Sequence, residues 1–268
     1  MNDFTATSLA HAAAHILATA EPAEKVRLSG LTAEAWRGGN LTPGTANNLA
    51  DRPARPINPP LRPPSEVPRR RINTSTTGRV ALLHALAHIE LNAIDLAWDI
   101  IARFADPEMP RQFFDDWVSV AAEEAHHFAL LSHRLSELDA AYGDLPAHDG
   151  LWESALVTRH DLVARLAVVP LVLEARGLDV TPAMIAKLRA AGDDRSASIL
   201  ETIYLDEIGH VGIGRRWFKF ACAARGLEPA RAWRTYVATY FKGALKPPFN
   251  TDARDAAGVP QSWYAQAP

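Results

Sequence analysis

One pattern of glutamate and histidine occurs twice in this chain, and this repeat constrains the fold more than any other feature. Glu90 lies in an apolar helical segment, and Glu124 follows 34 positions later with His127 three residues beyond it. The second copy has a spacing of 33 positions and consists of Glu174, Glu207 and His210. A carboxylate is costly to bury without a partner. Four glutamates in apolar helical settings therefore indicate that they share a buried ligand.

The spacing within each copy fits a metal site. Residues three apart on a helix lie on one face, one turn from each other, as Glu124 and His127 do. Two such hairpins packed about a pseudo-twofold axis bring four carboxylates and two imidazoles to the centre of a four-helix bundle, the ligand set of a di-iron or di-manganese site. The alternative places six ordinary polar residues on outer helix faces, which the apolar neighbours argue against. The predicted ligands are Glu90, Glu124, His127, Glu174, Glu207 and His210.

The register of the second helix has to be chosen, because Glu123 and His126 show the same three-residue spacing. Superposing the two copies makes Glu123 equivalent to Asp206, each one residue before a predicted ligand. A carboxylate at that position can accept the second ring N–H of a ligand histidine and fix its tautomer. We therefore expect Asp206 to support His127 and Glu123 to support His210. His126 is expected to be the more exposed histidine.

The rest of the chain predicts an all-α protein, because strand signals are essentially absent. Each long helix ends at turn residues, the third at Gly177, and the four cover Val80–Phe104, Asp115–Leu138, Glu153–Arg176 and Asp193–Arg225. Two short helices precede them, one of them opened by Pro22. Eight prolines between positions 42 and 71 predict an extended arm lying along a surface, with a flexible linker as the alternative.

These elements predict three regions in the chain. Residues 1–77 would form the N-terminal helices and the proline-rich arm. Residues 78–246 would form the four-helix bundle with a short flanking helix, and residues 247–268 a tail that wraps the bundle.

Composition excludes several classes of protein. The single Cys222 rules out an internal disulfide and any cysteine-based zinc or iron–sulfur site. A net charge of −3 argues against a general nucleic-acid binder, and the basic cluster Arg69–Arg70–Arg71 is more typical of a solvated turn. The longest apolar run, Leu166–Leu173, is too short to span a membrane. The stretch Leu9–Ala20 fits a short amphipathic helix better than a signal peptide, so we expect a cytoplasmic protein.

Four stretches and the tail give the chain a family resemblance. It resembles the domain-of-unknown-function 455 family in His84–Leu91, Ala122–Phe128, Val169–Pro182, Asp206–Val211 and Pro248–Asn250. The resemblance implies a ferritin-like fold, in the group that includes the ribonucleotide reductase small subunit and the tRNA hydroxylases. In the reductase and in bacterial multicomponent monooxygenases, an Asp before the Glu-x-x-His glutamate supports a histidine, which Asp206 matches. The resemblance supports the predicted set of metal ligands and does not identify a substrate.

The expected function is that of an oxidoreductase. Two iron or manganese ions would activate dioxygen to oxidise or hydroxylate an unknown small organic substrate. An external electron donor is expected, since no flavin, haem or nicotinamide motif appears and no organic cofactor is predicted. One alternative is a metal-handling ferroxidase or storage-type protein. Another is an RNA-modifying enzyme similar to the tRNA hydroxylases, although nucleic acid is not the expected partner.

Three further groups of residues have open roles. Tyr204, three residues before Glu207, is a candidate redox-active tyrosine, with a core tyrosine bonded to a ligand carboxylate as the alternative. One interpretation of His84, His88 and Asp95 is that they form a cation site. The preferred interpretation is that they form structural hydrogen bonds. Close helix packing or space beside the site would each explain the glycines of the fourth helix, which are Gly209, Gly212 and Gly214.

Overall fold

The computed structural model describes residues 7–67, 75–106 and 108–265; the cluster Arg69–Arg70–Arg71 lies outside them. Within these ranges the chain is helical, and its only β-type pairing is an isolated bridge between Leu61 and Ala147. The all-α prediction is therefore confirmed. The α-helices are α1 Leu9–Leu17, α2 Pro22–Arg37, α3 Thr76–Phe104, α4 Arg111–Ser136, α5 Gly150–Val157, α6 Leu162–Val168, α7 Ala175–Ala190, α8 Asp194–Ala224, α9 Pro229–Tyr240, α10 Thr251–Ala256 and α11 Gln261–Tyr264.

The described residues form two compact units, with the division after Trp152. The first unit contains α1 to α4 and the proline-rich arm. The second contains α6 to α11. Helix α5 crosses the boundary. Long helices packed on one another are the architecture of a helical bundle, whereas the ferritin-like arrangement and the three predicted regions stay predictions.

The core of the first unit is the pairing of α3 with α4, onto which α1 and α2 pack. Large apolar side chains fill it, and two of its tryptophans donate hydrogen bonds to buried or half-buried partners. Trp98 is fully buried and donates its indole N–H to the Ser29 hydroxyl at 2.8 Å. Trp36, exposed by only 1%, donates to the Asp115 carboxylate at 2.8 Å. These bonds attach α2 to both long helices.

The proline-rich arm is tied to the first unit by backbone hydrogen bonds and buried charges. The Ala54 N–H donates to the Leu17 carbonyl at 2.8 Å. The Arg55 guanidinium lies 3.0 Å from a carboxylate oxygen of Asp95, which is completely buried and also pairs with buried Lys25. Burial lowers the pKa of Lys25, and the nearby Asp95 charge opposes that shift. The arm therefore covers an ion cluster that would be costly to leave open.

The histidines of the first part of α3 are structural. His88 is 6% exposed, and its two ring nitrogens lie 2.9 Å from the Tyr142 hydroxyl and 3.0 Å from the His148 carbonyl. His84 accepts the Gly143 N–H at 2.9 Å. Burial lowers the pKa of His88 to about 4, so its imidazole is neutral at pH 7. These bonds favour the preferred structural interpretation over a cation site.

The second unit corrects the predicted third helix. The sequence predicts one helix over Glu153–Arg176, but α5 ends at Val157 and α6 begins at Leu162. Asp161 accounts for the break, because its side chain caps α6 by accepting the N–H groups of Val163 and Ala164. Buried Arg165 then donates to the Ala155 carbonyl at 2.8 Å and ties the two pieces together.

The predicted end of that helix at Gly177 is also wrong. The chain passes from α6 through a π-helical segment, Val169–Glu174, into α7, which includes Gly177 and Pro182 and ends at Ala190. Pro182 has no N–H to donate to the carbonyl four residues before it, that of Leu178. The Asn250 side-chain amide donates to the Leu178 carbonyl instead, at 3.1 Å. An external donor therefore compensates for the proline inside α7.

The tail is fixed on α7 by a buried ion pair. Arg254 and Asp179 have side chains exposed by 3% and 0%, and their closest N–O distance is 2.7 Å. The Asn250 N–H donates to the same carboxylate at 3.0 Å, and the Arg254 guanidinium lies over the Phe249 and Tyr264 rings. These contacts explain why the turn-rich tail is ordered against the second unit.

One described helix, α3, is long and apolar enough to cross a membrane by length and composition. Within its most apolar window, 78% is buried inside the protein, as in the core helix of a soluble protein. The cytoplasmic location stays a prediction.

Gly214 permits a close approach between α8 and the π-helical segment. A Cβ at Gly214 would lie 2.3 Å from the Pro170 Cβ, a distance that requires one of the two elements to move. Close packing therefore explains Gly214. Gly209 on the same helix has no such neighbour, because a Cβ there would meet nothing within 4 Å.

We predict that Gly214→Ala lowers the free energy of unfolding by about 1–3 kcal/mol, since the added methyl group overpacks the contact with Pro170. Gly209→Ala is the matched control and should leave stability unchanged or raise it by up to about 1 kcal/mol through helix propensity. Urea unfolding followed by circular dichroism measures both. Equal stability changes in the two variants would contradict the close-packing explanation.

Candidate metal centre

The first unit brings three of the predicted ligands together in its interior. Glu90 on α3 is 3% exposed, and Glu124 and His127 on α4 are completely buried. His127 Nδ1 lies 3.4 Å from Glu90 Oε2 and 3.5 Å from Glu124 Oε2. One ligand atom from each residue lies within 4.8 Å of the others, so this cluster can hold a metal ion.

Small residues make room for the cluster. Ala121 and Ala125, on either side of Glu124 in sequence, are both buried, and so is Ala87 on α3. Because α3 and α4 pack along their length, Glu90 faces the Glu-x-x-His turn of its neighbour. The repeat spacing read from the sequence therefore produces a cluster whose donors are two carboxylates and one imidazole. Iron, manganese and zinc all accept this donor set.

The charges of the cluster require a positive partner. Burial, followed by the nearby Glu124 carboxylate, raises the pKa of Glu90 to about 8. Burial alone would lower the pKa of His127, but Glu124 and Glu90 outweigh it and raise that pKa to about 11. Both shifts mean that the metal-free cluster retains protons at neutral pH. A divalent cation fits the same place, because it would supply the positive charge that those protons supply.

The second unit holds the other three predicted ligands, on the π-helical segment and on α8. Glu174 is the last residue of the π-helical segment. Glu207 and His210 lie one turn apart on α8, with 3.9 Å between Glu207 Oε1 and His210 Nδ1. His210 is 1% exposed, and the Glu207 side chain is 13% exposed. The second copy of the repeat thus reproduces the Glu-x-x-His turn of the first.

The π-helical segment at Glu174 is a feature that the sequence prediction missed. Single π turns within helices are rare and occur frequently at functional sites. Pro170 was the available signal, because it lies inside an otherwise helical apolar run and cannot continue the regular hydrogen-bond ladder. Glu174 ends this turn, so it lies where the chain returns from the π-helical to the regular helical hydrogen-bond pattern.

The two residues predicted to support the histidines, Glu123 and Asp206, both lie in the described part of the chain. Glu123 is half-buried and accepts a hydrogen bond from the Ser119 hydroxyl at 2.9 Å, and Asp206 is half-buried. Their proposed contacts with His210 and His127 stay predictions. His126 is exposed, as predicted.

Tyr204 has a partner that the sequence prediction did not consider. The Asn250 amide donates to its hydroxyl oxygen at 2.9 Å. The same Asn250 side chain also donates to the Leu178 carbonyl. The tail therefore holds a tyrosine three residues before Glu207. Redox activity of Tyr204, and a bond from it to a ligand carboxylate, stay predictions.

The described chain is thus an all-α protein with a buried carboxylate–histidine cluster that can bind a metal ion. Residues 18–265 match the family model described as "Protein of unknown function (DUF455)". The chain belongs to this family, as its resemblance indicated.

A curated relative shares much of the sequence. An uncharacterized protein of Haemophilus influenzae is 43% identical over 220 residues, which cover 80% of this chain and 75% of the relative. No solved structure matches the chain. The similarity to the family and to this relative therefore extends well beyond the ligand motifs.

We predict that His127→Gln weakens iron or manganese binding by more than about 100-fold. Loss of a residue that only hydrogen-bonds to a metal ligand typically lowers metal affinity about 10- to 100-fold, so loss of a ligand itself should cost more. His126→Gln, one residue away and exposed, is the matched control and should retain wild-type affinity. Elemental analysis after dialysis and competitive titration measure metal content and affinity. Equal metal binding in the two variants would contradict the assignment of His127.

Proposed function

We propose that the two copies of the repeat together bind two iron or manganese ions and that the protein is an oxidoreductase. It would use dioxygen to oxidise or hydroxylate a small organic substrate. The observation that carries this proposal is the buried cluster of Glu90, Glu124 and His127. The sequence repeats the same residue types at Glu174, Glu207 and His210, and the last two lie one turn apart on α8. Membership of the family assigns neither ligands nor a reaction.

The donor set favours a dinuclear site over a mononuclear one. Four glutamates carry four negative charges, which two divalent cations would neutralise. In the first copy, Glu90 and His127 retain protons at neutral pH, and a bound cation would displace those protons. Two neutral imidazoles would complete the ligands without adding charge.

The protein would contribute to this chemistry chiefly by positioning the metal ligands and by excluding water. Ala121, Ala125 and Phe128, close to Glu124 and His127 in sequence, are buried, and so is Val211, which follows His210. An apolar wall strengthens electrostatic interactions and protects reactive species from water. A bound iron pair would supply the electron transfer to dioxygen that protein side chains do not supply themselves. Asp206 and Glu123 would keep the histidine rings in one tautomer.

We predict that the metal-free protein binds two ferrous ions per chain under anaerobic conditions and that admitting dioxygen oxidises both. A coupled diferric pair should then give near-ultraviolet absorption and a Mössbauer quadrupole doublet. Glu207→Gln should remove the coupled signal. Glu201→Gln is the matched control, because this half-exposed carboxylate on the same helix pairs with Arg189.

Two results would change the assignment. The absence of diferric signals with two metal ions confirmed per chain would contradict the dioxygen chemistry. Continued oxidation of iron far beyond two ions per chain would instead indicate the ferroxidase or storage-type alternative.

A further inference from the structure

The second unit contains a cavity of about 240 Å³ between the π-helical segment and the residues that follow α9. Val172 and Leu173 form one wall, and Phe241, Leu245 and Phe249 line the rest of its apolar surface. Drug-sized ligands occupy pockets of roughly 300–1,000 Å³. This cavity therefore has the size for a smaller, largely apolar molecule.

The charged side chains in the lining are mostly cationic. Arg254 is neutralised by Asp179, and both side chains are almost completely buried. Arg176 is 41% exposed, donates to the Lys246 carbonyl at 2.7 Å and lies 3.4 Å from Asp179. Lys246 is exposed and forms no ion pair with any acidic residue in the described part of the chain. Three cations and one carboxylate leave the lining with a net charge of +2.

The surrounding sequence adds to this positive charge. From Ile208 to Thr251 there are eight Lys and Arg residues and one acidic residue, Glu228, although the whole chain carries −3. A local excess of one sign attracts the opposite charge and raises its concentration at the surface. Part of the cavity lining, from Phe241 to Phe249, belongs to this cationic stretch, which favours an anionic ligand.

We propose that this cavity binds a small organic anion with an apolar body, of the carboxylate class. Its anionic group would lie against Lys246 and Arg176, and its apolar body would contact Phe241, Leu245 and Leu173. Val172 and Leu173 directly precede Glu174, so the ligand would contact the segment that positions a predicted metal ligand. The identification of this anion as the substrate to be oxidised rests on the proposed function. The proposal that the cavity binds the anion does not.

The test uses the full chain without metal and hexanoate as the probe, measured by isothermal titration calorimetry. Hexanoate should bind, hexanol should bind more weakly, and hexylammonium should not bind. Lys246→Gln should weaken hexanoate binding by about 2- to 5-fold, the effect of an exposed charge pair. Lys219→Gln removes a charge from the same cationic stretch outside the cavity lining and should leave the affinity unchanged.

A second variant tests the apolar wall. A Cβ at Gly243 would lie 2.5 Å from the Phe241 ring, so Gly243→Val must displace that wall. We expect it to weaken both hexanoate and hexanol binding. Circular dichroism and thermal unfolding check that each variant is folded.

Three outcomes would overturn the proposal. The first is equal binding of hexanoate and hexylammonium, and the second is an equal effect of Lys246→Gln and Lys219→Gln on hexanoate binding. The third is displacement of hexanoate by an RNA oligomer whose binding depends on both lysines.

Failure of the proposed function gives a different result. Hexanoate binding without diferric signals supports the cavity and contradicts the dioxygen chemistry. Diferric signals without hexanoate binding contradict the cavity alone.

Discussion

The cost of burying carboxylates governs the site of this protein. Glu90 and Glu124 lie almost completely inside, within a few ångströms of each other, where two negative charges repel strongly and have lost their hydration. The structure tolerates them because His127 lies against both and because protons, or a cation in their place, supply the balancing charge. Such a cluster contributes little to stability by itself, and its donor atoms can hold a metal ion.

The second copy depends on irregular helices that are stabilised from outside. Pro170 interrupts the regular helix just before Glu174, and Gly214 allows α8 to approach that point. Asn250 then satisfies the carbonyl that Pro182 leaves without its helical donor. Because Asn250 also bonds Tyr204, the tail is connected to the helix that carries Glu207 and His210. The tail therefore maintains the geometry around the second copy of the repeat.

The regular parts of the fold could be predicted from sequence, and the irregular parts could not. Helices α3, α4 and α8 follow apolar periodicity and end at turn residues, so their bounds were predicted to within a few residues. The spacing of Glu124 and His127 predicts that they share a helix face, since i,i+3 positions lie one turn apart, and the structure places Glu90 beside them. The third helix was predicted wrongly for two reasons, one local and one distant. The Asp161 cap is a local start signal that the prediction overlooked. The bond from Asn250 to the Leu178 carbonyl, by contrast, joins residues 72 positions apart and cannot be inferred from local propensity.

The central claim is that the two copies of the repeat bind metal together. Anomalous diffraction at the iron edge, on crystals of the protein loaded with ferrous ions, tests it most directly. The account predicts two anomalous peaks about 3.5–4 Å apart, the separation typical of two-metal sites, with glutamates from both copies as ligands. A single ion bound only by Glu90, Glu124 and His127, or no peak at these residues, would contradict it.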